Sequence, residues 1–132
     1  DEMNFAILTS ATRALKGKAK FIFTTLNGLF PLFQSVEKFH ASHAADGGAT
    51  YSNSSFNLMT FRDHNTTEFM DDAGKRMTLE CNERYYMPSE ITWLLKSLGY
   101  RTTDIYGAKL GEYSRKDTLT QTDFEMLVIA EK

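Results

Sequence analysis

The last third of the chain places the tightest limit on its fold. Residues 87–111 read MPSEITWLLKSLGYRTTDIYGAKLG, and residues 122–132 read TDFEMLVIAEK. In the first segment Ile91, Leu94, Leu95 and Leu98 recur at helical spacing, so the pattern predicts a helix over Pro88–Leu98. Pro88 suits its first position, Glu90 its N-terminal turn, and Gly99 its stop. A more polar strand, Tyr100–Tyr106, should follow. After a long polar connection from Gly107 to Asp123, Phe124–Ala130 is continuously apolar, as expected of a central strand. No glycine-rich strand–turn–helix precedes any of this.

The upstream part supplies further elements. Ile7, Leu8, Ala11, Ala14 and Leu15 predict a helix over residues 3–16, with Gly17 after it. Phe21, Ile22 and Phe23 lie in a short β-prone run, Lys20–Leu26, that suits a strand covered on both faces. Leu29, Leu32, Phe33 and Val36 predict a second helix to His40, with Pro31 in its first turn. Residues 41–55 are small and polar and read as a loop. Residues 56–86 read as an antiparallel meander of Phe56–Asp63, Thr66–Asp71 and Met77–Asn82, with a turn at Asp71–Lys75. Met77, Leu79 and Cys81 alternate with polar residues and should point inward.

The chain has 132 residues, 42% hydrophobic and 24% charged, which excludes a disordered polymer and fits a single unit. Its net charge of −2 and 15 scattered Lys and Arg exclude a basic nucleic-acid footprint. The single Cys81 excludes an internal disulfide or a cysteine zinc cluster, and its expected place is a buried, inert thiol. No apolar run approaches the roughly 20 residues of a membrane span, and no signal-peptide pattern occurs. The expected location is cytoplasmic, without a nucleic-acid or membrane partner. His40, His43 and His64 are irregularly spaced, so no metal site is predicted.

The segment RALKGKAKFIFTTLN (Arg13–Asn27), the later Arg84-Tyr85-Tyr86 and Pro88-Ser89-Glu90-Ile91, the Leu98-Gly99-Tyr100 step and the final Leu127–Lys132 occur in a familiar order. Together they resemble the C-terminal half of a class I S-adenosylmethionine-dependent methyltransferase of the small-molecule type. Gly17-Lys18-Ala19 stands where that family usually shows Pro-Gly-Gly. The resemblance implies an α/β fold: the last three strands of a Rossmann-like sheet, flanking helices and an inserted antiparallel meander. It implies one unit over 1–132, with 41–86 as a loop plus substrate-side insertion. The last strand should lie antiparallel between its two neighbours, leaving the 20–26 strand as an open edge. Self-association to a homo-oligomer through that edge is expected.

The resemblance further implies S-adenosyl-L-methionine as cofactor of the whole protein and a small-molecule methyl acceptor as partner. The glycine-rich loop that would hold the cofactor is missing, so no cofactor-binding residue is expected and the chain alone should be inactive. Candidate substrate-binding residues are Asn27, at the end of its strand, and Arg84, Tyr85 and Tyr86. An Arg can grip a carboxylate or phosphate bidentately, and tyrosines bring an apolar wall with a polar tip. The plainer alternatives are a helix cap for Asn27 and a salt-bridged strand end for Arg84–Tyr86. No residue can be named as catalytic base. The competing reading is a non-enzymatic α+β module that binds a small molecule or a protein.

Overall fold

A computed structural model describes residues 1–109 and 113–132. The elements in chain order are α1 (Glu2–Ala14), β1 (Lys20–Asn27), α2 (Phe30–Phe33), α3 (Val36–Asp46), β2 (Thr50–Asn57), β3 (Arg62–Met70), β4 (Arg76–Tyr86), α4 (Pro88–Ser97), β5 (Arg101–Ala108) and β6 (Glu125–Glu131). The strands form one sheet in the order β2-β3-β4-β1-β6-β5. β6 runs antiparallel between β1 and β5, as the resemblance implies. No helix among the described residues is long and apolar enough to cross a membrane.

The final strand is central because its side chains are needed on both faces. Met126, Val128 and Ala130 are fully buried beneath α4, where Ile91 and Leu95 meet them. The α4 helix starts and ends as its sequence demands. The Glu90 carboxylate accepts a hydrogen bond from the Met87 backbone N–H at 3.3 Å, and Gly99 adopts φ 87° to end the helix. A second cluster on the other side gathers Phe30, Val36 and Tyr85 with Phe39, Phe56, Phe61 and Phe124.

The 20–26 strand, expected as an open edge, is internal to the sheet because the meander joins it through β4, but β1 is bonded along its length on one side only. It pairs with β6 from Lys20 to Leu26, but meets β4 in parallel only at Leu26↔Tyr85 and Asn27↔Tyr86. Phe21 and Phe23 are half-buried and Ile22 is 56% exposed, so the expected cover on both faces is found on one. Gly28 makes the β1–β4 junction possible. A Cβ there would stand 2.9 Å from the backbone of Tyr86 and Met87.

The structure corrects the reading of residues 29–86 at several points. The helix expected to His40 is two helices, broken at Gln34-Ser35, where Ser35 Oγ accepts from Lys38 N at 3.2 Å and starts a new one. The loop expected over 41–55 holds the rest of α3 and most of β2. Its alanines favour helix, and Tyr51 and Phe56 anchor the strand by packing that no local pattern records. The single strand expected over Phe56–Asp63 is the end of β2, a turn at residues 58–61 and the start of β3, and in the turn Asn57 Oδ1 accepts from Met59 N and Thr60 N. Met77 and Leu79 are exposed rather than inward, because the outer end of the β3–β4 hairpin overhangs the core. Cys81 is half-buried, and burial pushes its thiol up, away from the reactive thiolate. The Asp71–Lys75 turn forms as expected, with Asp71 Oδ1 accepting from the N–H of Ala73 and Lys75.

Candidate functional site

Where β1 and β5 end and β6 begins, a cleft of about 470 Å³ opens against α3. Ligands of open α/β sheets bind in this place, beyond the carboxyl ends of the strands. Its walls include Phe39, His40 and His43 of α3, Ala108 of β5, and Asp123 and Phe124 just before β6. Phe39 and Phe124 stack with ring centroids 4.0 Å apart, and the His43 ring lies 4.1 Å from Phe39 on the other side. The i, i+4 spacing of Phe39 and His43 on α3 produces that stack, and His43 Nδ1 donates to the Phe39 carbonyl at 2.8 Å.

One polar cluster backs this wall. His40 Nε2 lies 3.4 Å from Glu83 Oε2, 3.9 Å from Asp63 Oδ2 and 3.5 Å from the Tyr85 hydroxyl. Asp63 is fully buried and hydrogen-bonded on both oxygens. Tyr51 Oη donates to Oδ2 at 2.8 Å, Asn65 Nδ2 to the same oxygen at 2.8 Å, and Ser54 Oγ to Oδ1 at 3.3 Å. A buried carboxylate is tolerable only with such donors. The His40 ring stacks on Tyr51 at 4.9 Å and 16°. Burial, with Asp63 and Glu83 nearby, pushes the phenols of Tyr51 and Tyr85 above their ordinary range, so both remain neutral donors.

The sequence reading missed this cluster. His40, Asp63 and Glu83 come from three elements, and only the β3–β4 register, Asp63↔Glu83, and the packing of α3 bring them together. The one sequence signal was an acid on each strand at positions that face the core. One ligand atom from each of the three lies within 4.8 Å of the others, a spacing open to a metal ion. Asp63 Oδ2, however, already accepts two hydrogen bonds, which makes this arrangement a better carboxylate–imidazole network than a metal cage.

The four sequence candidates separate. Successive strand residues point to opposite faces, so Tyr85 packs in the Phe30–Val36 cluster beside His40 while Tyr86 joins the α4 cluster. The Tyr86 hydroxyl accepts from Asn4 Nδ2 at 3.0 Å. Arg84 donates to the Tyr85 carbonyl and to Glu90, reaches Asp1 Oδ1 at 3.3 Å, and lies over the Tyr86 ring. That is the salt-bridged strand end named above as its alternative. Asn27 is fully buried; Oδ1 accepts from Leu29 N at 3.0 Å, and Nδ2 donates to the carbonyls of Thr120 (3.0 Å) and Asp123 (2.8 Å). It therefore shapes the cleft by fixing Asp123. Of the four, only Tyr85 lies in direct contact with the polar cluster.

A nucleotide cofactor asks for a strand, a glycine-rich turn and a helix whose N-terminus faces the ligand. The glycine that follows β1 does not offer this, because Gly28 is closed against Tyr86 and Met87. The turn after β1 is therefore not a phosphate or nucleotide cradle.

No protein-family model matches the chain, and no curated protein matches it in sequence. Solved structures match nearly all of it. The CcbJ methyltransferase from Streptomyces caelestis superposes with a TM-score of 0.63 at 10% identity, over 96% of this chain and 51% of that one. An S-adenosylmethionine-dependent methyltransferase from Clostridium acetobutylicum gives a TM-score of 0.64 at 16% identity, over 96% of this chain and 50% of that one. The chain has a methyltransferase-like α/β fold and spans about half the length of the structures it matches.

Proposed function

We propose that the chain is the acceptor-side, C-terminal portion of an S-adenosylmethionine-dependent methyltransferase and is inactive on its own. The observation that carries this is the half-open β1 strand in a methyltransferase-like sheet, with a cleft at its carboxyl end. The free side of β1 offers unpaired backbone from Lys20 to Thr25 beside the exposed side chains of Ile7 and Ile22. A further parallel strand can dock there, and cofactor-binding residues outside this chain can come with it. The cleft between α3 and the start of β6 then takes the methyl acceptor, with Phe39 and Phe124 as its apolar wall. Of the residues expected to bind substrate, Tyr85 acts next to the cleft, Asn27 holds the cleft's far wall, and Arg84 and Tyr86 brace α4.

Isothermal titration of S-adenosylhomocysteine into this chain, and into the longest product of its reading frame, tests the reading. Binding by the longer product alone is expected. Equal binding by the 132-residue chain would place the cofactor site within it and overturn the division. Binding by neither would favour a non-enzymatic binding module.

A further inference from the structure

The amino end of β1 gathers charge that the sequence disperses. Lys20 opens β1, Glu131 closes β6 and Arg101 opens β5, and the three stand opposite one another across neighbouring strands, about 10 Å from first to last. Arg13 ends α1 and Lys16 follows it. Lys18 N then donates to the Lys132 carbonyl at 3.1 Å, which ties that connection to the same rim. Arg13, Lys16, Lys18, Lys20, Arg101 and Lys132 are all exposed there. Glu131 lies 3.8 Å from Lys20 and 2.7 Å from Arg101. Lys132 Nζ donates to the Thr12 and Leu15 carbonyls at 2.6 and 3.3 Å and so closes the end of α1. Among the described residues no carboxylate pairs with Arg13, Lys16 or Lys18.

Lys18 holds its place against the preference of its backbone. It takes φ 65°, in a turn closed by Ala19 N donating to the Lys16 carbonyl at 3.1 Å. A residue with a Cβ is strained in that left-handed region and glycine is not. Gly17, one position earlier, stays out of the region, and a Cβ on it would meet nothing within 4 Å. The chain therefore seats a lysine where the turn favours glycine, and a glycine where nothing requires one. A local mismatch of this kind points to a side chain kept for what it binds.

We propose that this rim docks an acidic segment of a partner protein, a short run of Asp and Glu. Clustered cations facing such a segment speed its encounter and fix its position. The size of the patch favours a short anion. The whole chain carries a net charge of −2, so the surface beyond this basic rim is acidic on balance and repels a polyanion that extends past it. Residues 13–20, Arg101, Glu131 and Lys132 include no aromatic ring, so nucleic-acid bases find no stacking platform there. Four of the six cations are lysines, compact charges on flexible stems that follow a mobile carboxylate without a fixed fork geometry. The rim lies at the opposite end of β1 from the cleft, so docking here is independent of what the cleft binds.

The test adds N-acetyl hexaglutamate amide to the chain at about 0.01 M salt, where the Debye length is about 30 Å. Amide shifts in nuclear magnetic resonance should concentrate at residues 16–20, Arg101 and Lys132, and fade at about 0.1 M salt, where that length is about 10 Å. Lys18→Gly should raise the urea midpoint by relieving the turn, yet weaken peptide binding about threefold through loss of one exposed ion pair. A gain in stability with a loss in binding separates a docking role from a merely structural one. Lys16→Ser, Lys18→Gly and Lys20→Ser together should weaken binding about tenfold or more. Lys75→Ser with Arg76→Ser, on the remote β3–β4 hairpin, should leave it unchanged. Shifts away from the rim, no binding at low salt, or undiminished binding by the triple variant would overturn the proposal. Tighter binding of hexauridylate than of the peptide would also overturn it and make the rim a nucleic-acid site.

Discussion

Asn27 Nδ2 donates to the backbone carbonyl of Asp123 at 2.8 Å, tying the end of β1 to the residue that begins the β6 wall of the cleft. The same amide holds the Thr120 carbonyl and the Leu29 N–H, with the side chain wholly out of water. Asn27→Ala leaves these part-buried backbone groups without their partner. A loss of about 1–3 kcal/mol is expected in urea unfolding, because an orphaned polar group costs more than a made hydrogen bond contributes. Asn27→Asp should also destabilise, since a carboxylate would face two carbonyl oxygens. Wild-type stability in Asn27→Ala would contradict this role.

Gly28→Ala should separate the meander from the rest of the sheet. The new methyl would meet Met87 N, Met87 Sδ and Tyr86 C, each at 2.9 Å, and two of those three atoms are backbone. Overpacking of this kind costs about 1–3 kcal/mol. Hydrogen exchange should show protection lost at Tyr85 and Tyr86 before it is lost in β6.

The Tyr51 and Tyr85 phenols, raised chiefly by burial, make stability fall at alkaline pH. The folded chain retains protons that the unfolded chain releases above the ordinary tyrosine value of 10.0, so the stabilising contribution is complete below that pH and is lost as pH rises beyond it. Urea midpoints measured across this range should decline. Tyr51→Phe removes one of the two groups and should flatten the decline; an unchanged slope would count against it.

Ile22→Lys tests self-association through the unpaired stretch of β1. Ile22 is exposed, so the folded monomer should change by less than about 0.5 kcal/mol. A charge beside an unpaired stretch of strand opposes pairing with another chain. Light scattering at high concentration should show association in the wild type and less in the variant. Equal behaviour of the two would remove the edge as the contact.

The elements that the sequence made legible are those whose signals are local. The stripe of α4 with Pro88 and Gly99, the continuous apolar run of β6 and the Asp71–Gly74 turn each contain their own physical cause within a few residues. The Ser35 break depends on a weak local cap that competes with a continuous apolar period. β2 was hidden because Thr50–Asn57 is mostly polar, and only Tyr51 and Phe56 tie it to the core. Tyr85 and Tyr86 were readable as a candidate pair, but strand alternation alone could not tell which of them would reach a cleft.

By itself the sequence determined the α4 helix, the continuously apolar β6 strand and the Asp71–Gly74 turn, while its resemblance implied the α/β sheet with the last strand antiparallel between two neighbours. Hydrophobic period, chain direction and glycine placement act over short distances and leave a mark on the text. Tertiary structure decided that His40, Asp63 and Glu83 share one network around the buried Asp63 and that Arg84 and Tyr86 brace the opposite face. Those pairings depend on strand register and helix packing over tens of residues, where contact is set by the whole core rather than by any neighbour in the chain.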